Sequence, residues 1–208
     1  MKIGILSCGG SNITSVVNAL VHIGVEPALI STPDRSYDFL IMPGVGAFDA
    51  GIQRLRSAGL FEVVLEHIGA GRPFVGICLG MQMLFQGSDE GTETGLSVLD
   101  GRFVKLGPGS NGGGRMPPNI GYNYVDFSSG GPDASLGEGM SAFYYFLHSY
   151  AIRTLPDGCA TVGATRFNGE PFFPFFIRDN VCGIQFHPER SGRRGLALLS
   201  RVIATMGG

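Results

Sequence analysis

A cysteine stands between a β-type run and a helical run in RPFVGI-Cys78-LGMQMLF, with Gly76 and Gly80 two residues to either side. A sharp strand-to-helix turn leaves no room for Cβ atoms at those flanks, so the spacing G-x-C-x-G lets a nucleophile project into a cleft. The thiolate is the reactive form, and unpaired N–H groups at a helix start favour it. The same five residues also suit a buried cysteine packing as a small hydrophobe. His187-Pro188-Glu189 follows the strand pattern VCGIQF, and residues two apart at a strand end point to one side. Glu189 could then accept from one imidazole nitrogen and leave the other free to take the Cys78 proton. That is the logic of nucleophile, base and orienting carboxylate. A His beside Pro has a structural reading of its own, and it is the elbow and the His-Pro-Glu pair together that favour chemistry. Pro43-Gly44-Val45-Gly46 closes a third strand pattern, FLIM. Its two glycines could aim backbone N–H groups into the same cleft as an oxyanion hole, or simply turn the chain toward a helix.

Elements must bring these three segments together. Residues 2–7 read as a strand, and Ile13, Val16, Val17, Ala19, Leu20 and Ile23 recur at helical spacing over 12–24. EPALI, before Ser31-Thr32-Pro33-Asp34, and YDFLIM, before Pro43, read as short buried strands. Helices follow near 47–57 and 60–70, and RPFVGI returns as a strand. Strands alternating with helices predict an α/β fold: a mostly parallel central sheet with helices on both faces. After Gly87 the rhythm changes to VLDGRFVKL, IGYNYVDF, SAFYYFLHSY, CATVGATRF and EPFFPFFIRDNVCGIQF. These predict a mixed or antiparallel extension of the same sheet. GPGSNGGGRMPP (107–118) reads as an exposed loop, too short for a linker between domains that share a core. A last helix over 193–205 carries Leu196, Leu198, Leu199, Val202 and Ile203.

The 208 residues suffice for one domain with a full core, spanning 1–208. Fifteen basic residues nearly balance seventeen acidic ones and are scattered, so no nucleic-acid footprint is expected. No stretch approaches the roughly 18 apolar residues of a membrane span, and the opening MKIGILSCGG is too brief for a secretory signal, which together predict a cytoplasmic protein. Cys8, Cys78, Cys159 and Cys182 are isolated, so neither a disulfide framework nor a zinc site is suggested. Cys8, Cys159 and Cys182 read as packing residues. His22 and His67 lie on helix patterns without a catalytic neighbour, and PFFPFF (171–176) reads as core or interface.

PGVGAF (43–48), GICLGMQMLF (76–85), FLHSY (146–150) and GIQFHPERSG (183–192) occur in an order and spacing that resemble the class I, triad-type glutamine amidotransferases. Within that family they are most similar to the glutaminase subunits of imidazole glycerol phosphate synthase. The resemblance implies Cys78 as nucleophile, His187 as base, Glu189 as its partner, and Gly44, Val45 and Leu79 around the oxyanion. It further implies a glutamine pocket at Gln82 and Glu90, with main-chain contacts from His148, Ser149 and Tyr150. Read from the residues alone, Gln82 lies one helical turn after Cys78 and faces the site, Glu90 could be solvated in an acidic loop, and the His148 side chain is structural. The family implies no metal or organic cofactor. It also implies a heterodimer with a (β/α)8 synthase or cyclase subunit that receives ammonia through a channel, in histidine biosynthesis.

Two segments depart from the family pattern. Ser7-Cys8-Gly9-Gly10-Ser11-Asn12 replaces D-Y-G-M-G-N, and Pro118-Asn119-Ile120-Gly121-Tyr122-Asn123 replaces P-H-M-G-W-N. In the family both lie at or near the synthase contact. A paralogous subunit feeding another synthase, such as one that aminates a surface sugar, is therefore a second expectation. A catalytically silent binding module on the same fold is a third.

Overall fold

The computed structural model describes residues 1–7, 13–109, 114–127 and 139–208. Cys8, most of the SCGGSN segment and the centre of the Gly-rich stretch lie outside the described residues.

The first ninety residues follow the expected alternation. Strand β1 (Ile3–Leu6) leads to α1 (Ile13–His22), β2 (Ala28–Ile30) and β3 (Phe39–Gly44); α2 (Phe48–Ser57) and α3 (Leu60–Gly69) then lead to β4 (Phe74–Cys78). Four parallel pairings join β2, β1, β3 and β4 to a late strand, β12 (Val181–Ile184). Beyond β12 the sheet continues antiparallel through β11 (Glu170–Arg178) and β10 (Thr161–Phe167), giving the order β10-β11-β12-β4-β3-β1-β2.

Both faces of the parallel strands are covered, which is why they are apolar at nearly every position. Successive residues point to opposite faces. Ile41 joins a core with Val16 and Leu20 of α1, whereas Leu40 and Met42 join one with Ile52 of α2 and Val64 of α3. Helix α5 (Gly192–Met206) closes the α1 face with Gly195, Leu198, Leu199, Val202 and Ile203, all buried. That is the i, i+3, i+4, i+7, i+8 stripe of an amphipathic helix. Each fully buried Leu or Ile there contributes about 1.5–3 kcal/mol over an exposed one.

Several boundaries differ from the sequence reading. Strand β3 runs through Pro43 to Gly44, with Pro43 opposite Ile77. The β1 ladder has already ended at Ile41, so one side of β3 has no neighbouring strand to which Pro43 would have to donate. The helix after Cys78, α4, is a single turn, Leu79–Gln82, because Phe85 must turn back into β5 (Phe85–Ser88). The extension also divides. β10 to β12 join the main sheet, but β5, β6 (Leu99–Lys105) and β9 (Tyr150–Ala151) form a separate three-stranded sheet. β7 (Asn119–Val125) and β8 (Ala142–His148) form a two-stranded ribbon, linked to β10 by a bridge between Asp126 and Ala164. PFFPFF is core: Phe172, Phe175 and Phe176 are fully buried. Among the described residues no helix is long and apolar enough to cross a membrane.

Candidate active site

In open α/β sheets, sites form beyond the carboxyl ends of the parallel strands. Cys78 is the last residue of β4, and Gly44, the last of β3, is its register partner. Cys78 has φ 55° and ψ −111°, a left-handed conformation that a side chain other than glycine's adopts only under constraint. The flanking glycines supply the room for it. A Cβ on Gly80 would overlap the Met42 carbonyl oxygen, and one on Gly76 would lie 2.6 Å from the Gly80 carbonyl oxygen. The chain can therefore turn from β4 into α4 within a single residue, which leaves the sulfur aimed across the end of the sheet.

His187 comes to it from the end of β12, the strand beside β4, by a route unlike the one expected. The strand stops at Ile184, and Pro188–Arg190 form a 3-10 turn. It is this turn, and not strand alternation, that brings Glu189 back under the imidazole, with His187 Nδ1 2.8 Å from Glu189 Oε1. Both side chains are buried, 2 % and 0 % exposed. The turn is clamped from two sides. His187 N donates to the Tyr145 carbonyl at 2.8 Å, Tyr145 N donates to Ser191 Oγ at 2.9 Å, and Ser191 Oγ donates to the His187 carbonyl at 2.7 Å. Gly195 admits α5 against the Pro188 carbonyl, where a Cβ would overlap it.

Burial by itself disfavours a charged imidazole. The interactions with Cys78 and Glu189 outweigh it and raise the His187 pKa to about 10. Near neutral pH the arrangement favours an imidazolium beside the sulfur. A proton taken from Cys78 can thus reside on His187, with Glu189 fixing which ring nitrogen faces the sulfur.

A cavity of about 340 Å³ opens over Cys78, within the range of small-molecule sites. Val45, Leu79, Gln82, Glu90, His148, Ser149 and Tyr150 line it, together with Gly46, Ala47, Pro118 and Leu147. Seven of the residues expected around the substrate and oxyanion therefore share one chamber with Cys78. Gly44 does not line the chamber; it lies beside Cys78 and Leu79, and a Cβ there would meet the Leu79 Cβ at 3.0 Å. His187 and Glu189 stand behind the sulfur instead of on the chamber wall. Glu90 is exposed but docked: its Oε2 accepts from the Phe48 N–H at the start of α2, at 2.7 Å. Partial burial, followed by the charges of Glu90 and Asp89, raises the Tyr150 phenol pKa.

His148 is buried and its side chain serves its own strand. Nδ1 lies 2.8 Å from the Tyr150 carbonyl, which can only accept, so Nδ1 carries the proton. Nε2 then accepts from Asn119 Nδ2 at 3.0 Å, and Asn119 Oδ1 accepts from Asn123 Nδ2 at 2.7 Å. Burial, against the Tyr150 hydrogen bond, lowers the His148 pKa to about 4, so the ring stays neutral. This relay fixes the Leu147–Tyr150 backbone that forms one wall.

Two members of the site escaped the sequence reading. Asn119 was noted only as part of a departing segment, because its role depends on a ribbon partner 29 residues away. Gln185, 1 % exposed with Nε2 3.7 Å from Cys78 Sγ, did carry one: it lies two residues before His187. Of the cysteines read as packing residues, Cys182 is fully buried and Cys159 partly so, and burial raises both thiol pKa values. His67 is buried against the Pro73 carbonyl at 2.9 Å, and His22 is exposed at the end of α1. Among the described residues no three His, Cys, Asp or Glu side chains gather as metal ligands would.

The chain is similar to proteins of known description. It is 40 % identical to the imidazole glycerol phosphate synthase subunit HisH of Symbiobacterium thermophilum, covering 96 % of this chain and 92 % of that one. It is 35 % identical to the corresponding subunit of Cyanidium caldarium, over 98 % and 99 % of the two chains. A crystal structure of a glutamine amidotransferase shares the fold, with a TM-score of 0.73 at 18 % identity and full coverage of both chains. Residues 5–204 match the family described as glutamine amidotransferase class-I, and with the elbow, the His187–Glu189 pair and the chamber already placed, the chain belongs to that family.

Proposed function

We propose that the chain is a glutaminase subunit that releases ammonia from glutamine through Cys78, His187 and Glu189, as one domain spanning 1–208. The observation that carries this reading is the arrangement in which a hydrogen bond from Glu189 holds His187 and His187 stands beside Cys78, behind a chamber of substrate size. The sulfur attacks the side-chain carboxamide carbon of glutamine, and the oxyanion rests on N–H groups of Gly44, Val45 and Leu79. His187, holding the proton that came from Cys78, passes it to the departing nitrogen, and ammonia leaves. The glutamyl thioester remains. His187 next takes a proton from water, whose oxygen attacks the thioester carbon, and glutamate leaves as the sulfur is restored. The Glu90 carboxylate suits the substrate's ammonium end, Gln82 its polar groups, and the Leu147–Tyr150 backbone its main-chain contacts. Every step uses side chains, backbone N–H groups and water.

The ammonia acceptor is a second protein. The cyclase subunit of an imidazole glycerol phosphate synthase, a (β/α)8 barrel in the cytoplasm that receives ammonia through a channel in a heterodimer, is the partner we favour, since the relatives bear that synthase's name. An apolar surface beside the chamber supports docking. Ile120, Tyr122 and Tyr124 on β7 pair across the ribbon with Leu147, Tyr145 and Phe143 on β8. Five of these six are exposed, Phe143 by 61 %. A contiguous exposed apolar face of this kind marks an interaction site, and Leu147 belongs both to it and to the chamber.

Ammonia release should rise by about tenfold or more on adding such a cyclase loaded with its ribonucleotide substrate, a coupling of about 1.4 kcal/mol or more. Release assayed with the cyclase and with a sugar-aminating synthase of the same family decides the partner. Stimulation by the second alone would replace the partner named here.

A further inference from the structure

The helix after Cys78 spans four residues. It supplies little macrodipole, because the effective charge at a helix end sums over aligned peptide units. A thiolate at this turn therefore needs other support, and among the described residues the sulfur has two polar neighbours besides His187. The Leu147 carbonyl, 3.9 Å away, can only accept, so it serves the neutral thiol. The Gln185 amide nitrogen, 3.7 Å away, can only donate, so it serves the thiolate.

The Gln185 amide is paired at its other end. Oε1 accepts from Gln82 Nε2 at 3.2 Å, and both residues are buried. Turning both amides over would preserve a bond between them but would place Gln185 Oε1 against the sulfur. An acceptor facing an anion is repulsive, so a thiolate selects the orientation in which the nitrogen faces it.

We propose that Gln185 is a further catalytic residue of this site, whose Nε2–H group stabilises the Cys78 thiolate while its other end pairs with the Gln82 amide. The inference rests on the reading of Cys78 as nucleophile. Among the described residues, the ionisable groups around the sulfur are His187 and Glu189 beyond the end of β12, His148 at the end of β8, and Glu90 and Tyr150 across the chamber. Replacing Gln185 by an uncharged side chain leaves all of these in place and removes the donor, together with the acceptor that meets Gln82.

The test is the rate of Cys78 alkylation by iodoacetamide as a function of pH, read from the mass of the Cys78 peptide, in the unaltered protein, Gln185→Met and Gln185→Glu. Gln185→Met fills similar space without a donor. Its alkylation midpoint should move up by about one pH unit, with about tenfold less thiolate below the midpoint. Gln185→Glu, which sets a carboxylate against the sulfur, should move it further. An unchanged midpoint in folded Gln185→Met overturns the proposal. A measurement on the unaltered protein covers the case in which both variants fail to fold. The side-chain amide resonances of Gln185, followed by NMR over the same pH range, should shift with the midpoint of the alkylation curve; resonances indifferent to that ionisation overturn the role. A Cys78 that reacts at no pH would remove the nucleophile reading and the role of Gln185 with it, an outcome distinct from a reactive Cys78 that ignores Gln185.

Discussion

Cys78→Ala is expected to lower ammonia release from glutamine by at least about 10⁴-fold, measured by coupled glutamate and ammonia assays with the synthase partner present. Triads of nucleophile, base and carboxylate lose most of their acceleration when the nucleophile goes, and what remains comes from binding and the oxyanion hole. The substitution removes one sulfur from a side chain that is 5 % exposed, so it should leave the fold unchanged. Glutamine should still bind, because Gln82, Glu90 and the Leu147–Tyr150 wall are intact. The expected signature is a lost kcat with a retained substrate Kd. A small loss of activity would mean that the thiol is not the nucleophile.

Gly80→Ala is the second large effect, and it acts through geometry. The added Cβ would overlap the Met42 carbonyl oxygen, which belongs to β3 in the middle of the sheet and cannot rotate away as a side chain could. Either β3 or α4 must shift. Overpacking of this kind costs about 1–3 kcal/mol of stability. A displacement of about 1 Å at Cys78 costs about 100-fold in rate. The variant should therefore melt several degrees lower and lose at least about 100-fold in kcat. Gly69→Ala is the matched control: a Cβ there meets nothing within 4 Å, and its activity and melting temperature should match the unaltered protein. Equal behaviour of the two variants would contradict the account of the elbow.

The sequence made the parallel core legible because strands buried on both faces read as apolar runs, and α1, α2, α3 and α5 each carry a stripe that only a sheet can cover. Gly76 and Gly80 pointed to the elbow for the reason the structure displays, the absence of space for a Cβ. Less legible was whatever depends on pairing between distant segments. β6 and β9 fall in segments that read as an extension of the main sheet, but they pair with each other and β6 with β5, and no local pattern says so. The single turn of α4 looked longer because Met83, Leu84 and Phe85 continue an apolar run, although they are buried by a reversal into β5. His187 and Glu189 were paired on strand spacing and are in fact joined by a 3-10 turn that Pro188 begins. Gln185 shares a side with His187 by the same two-residue spacing, so its proximity to the sulfur was readable. Its donor role was not, since that depends on the folded contact with Cys78, 107 positions away.

The most direct measurement of the central claim is the mass of the protein acid-quenched within milliseconds of mixing with glutamine and the loaded synthase. A fraction of the chains should carry a glutamyl group in thioester linkage, found on the Cys78 peptide and absent from Cys78→Ala. Turnover of glutamine with no adduct in the quenched unaltered protein, or an adduct that persists in Cys78→Ala, would contradict the account.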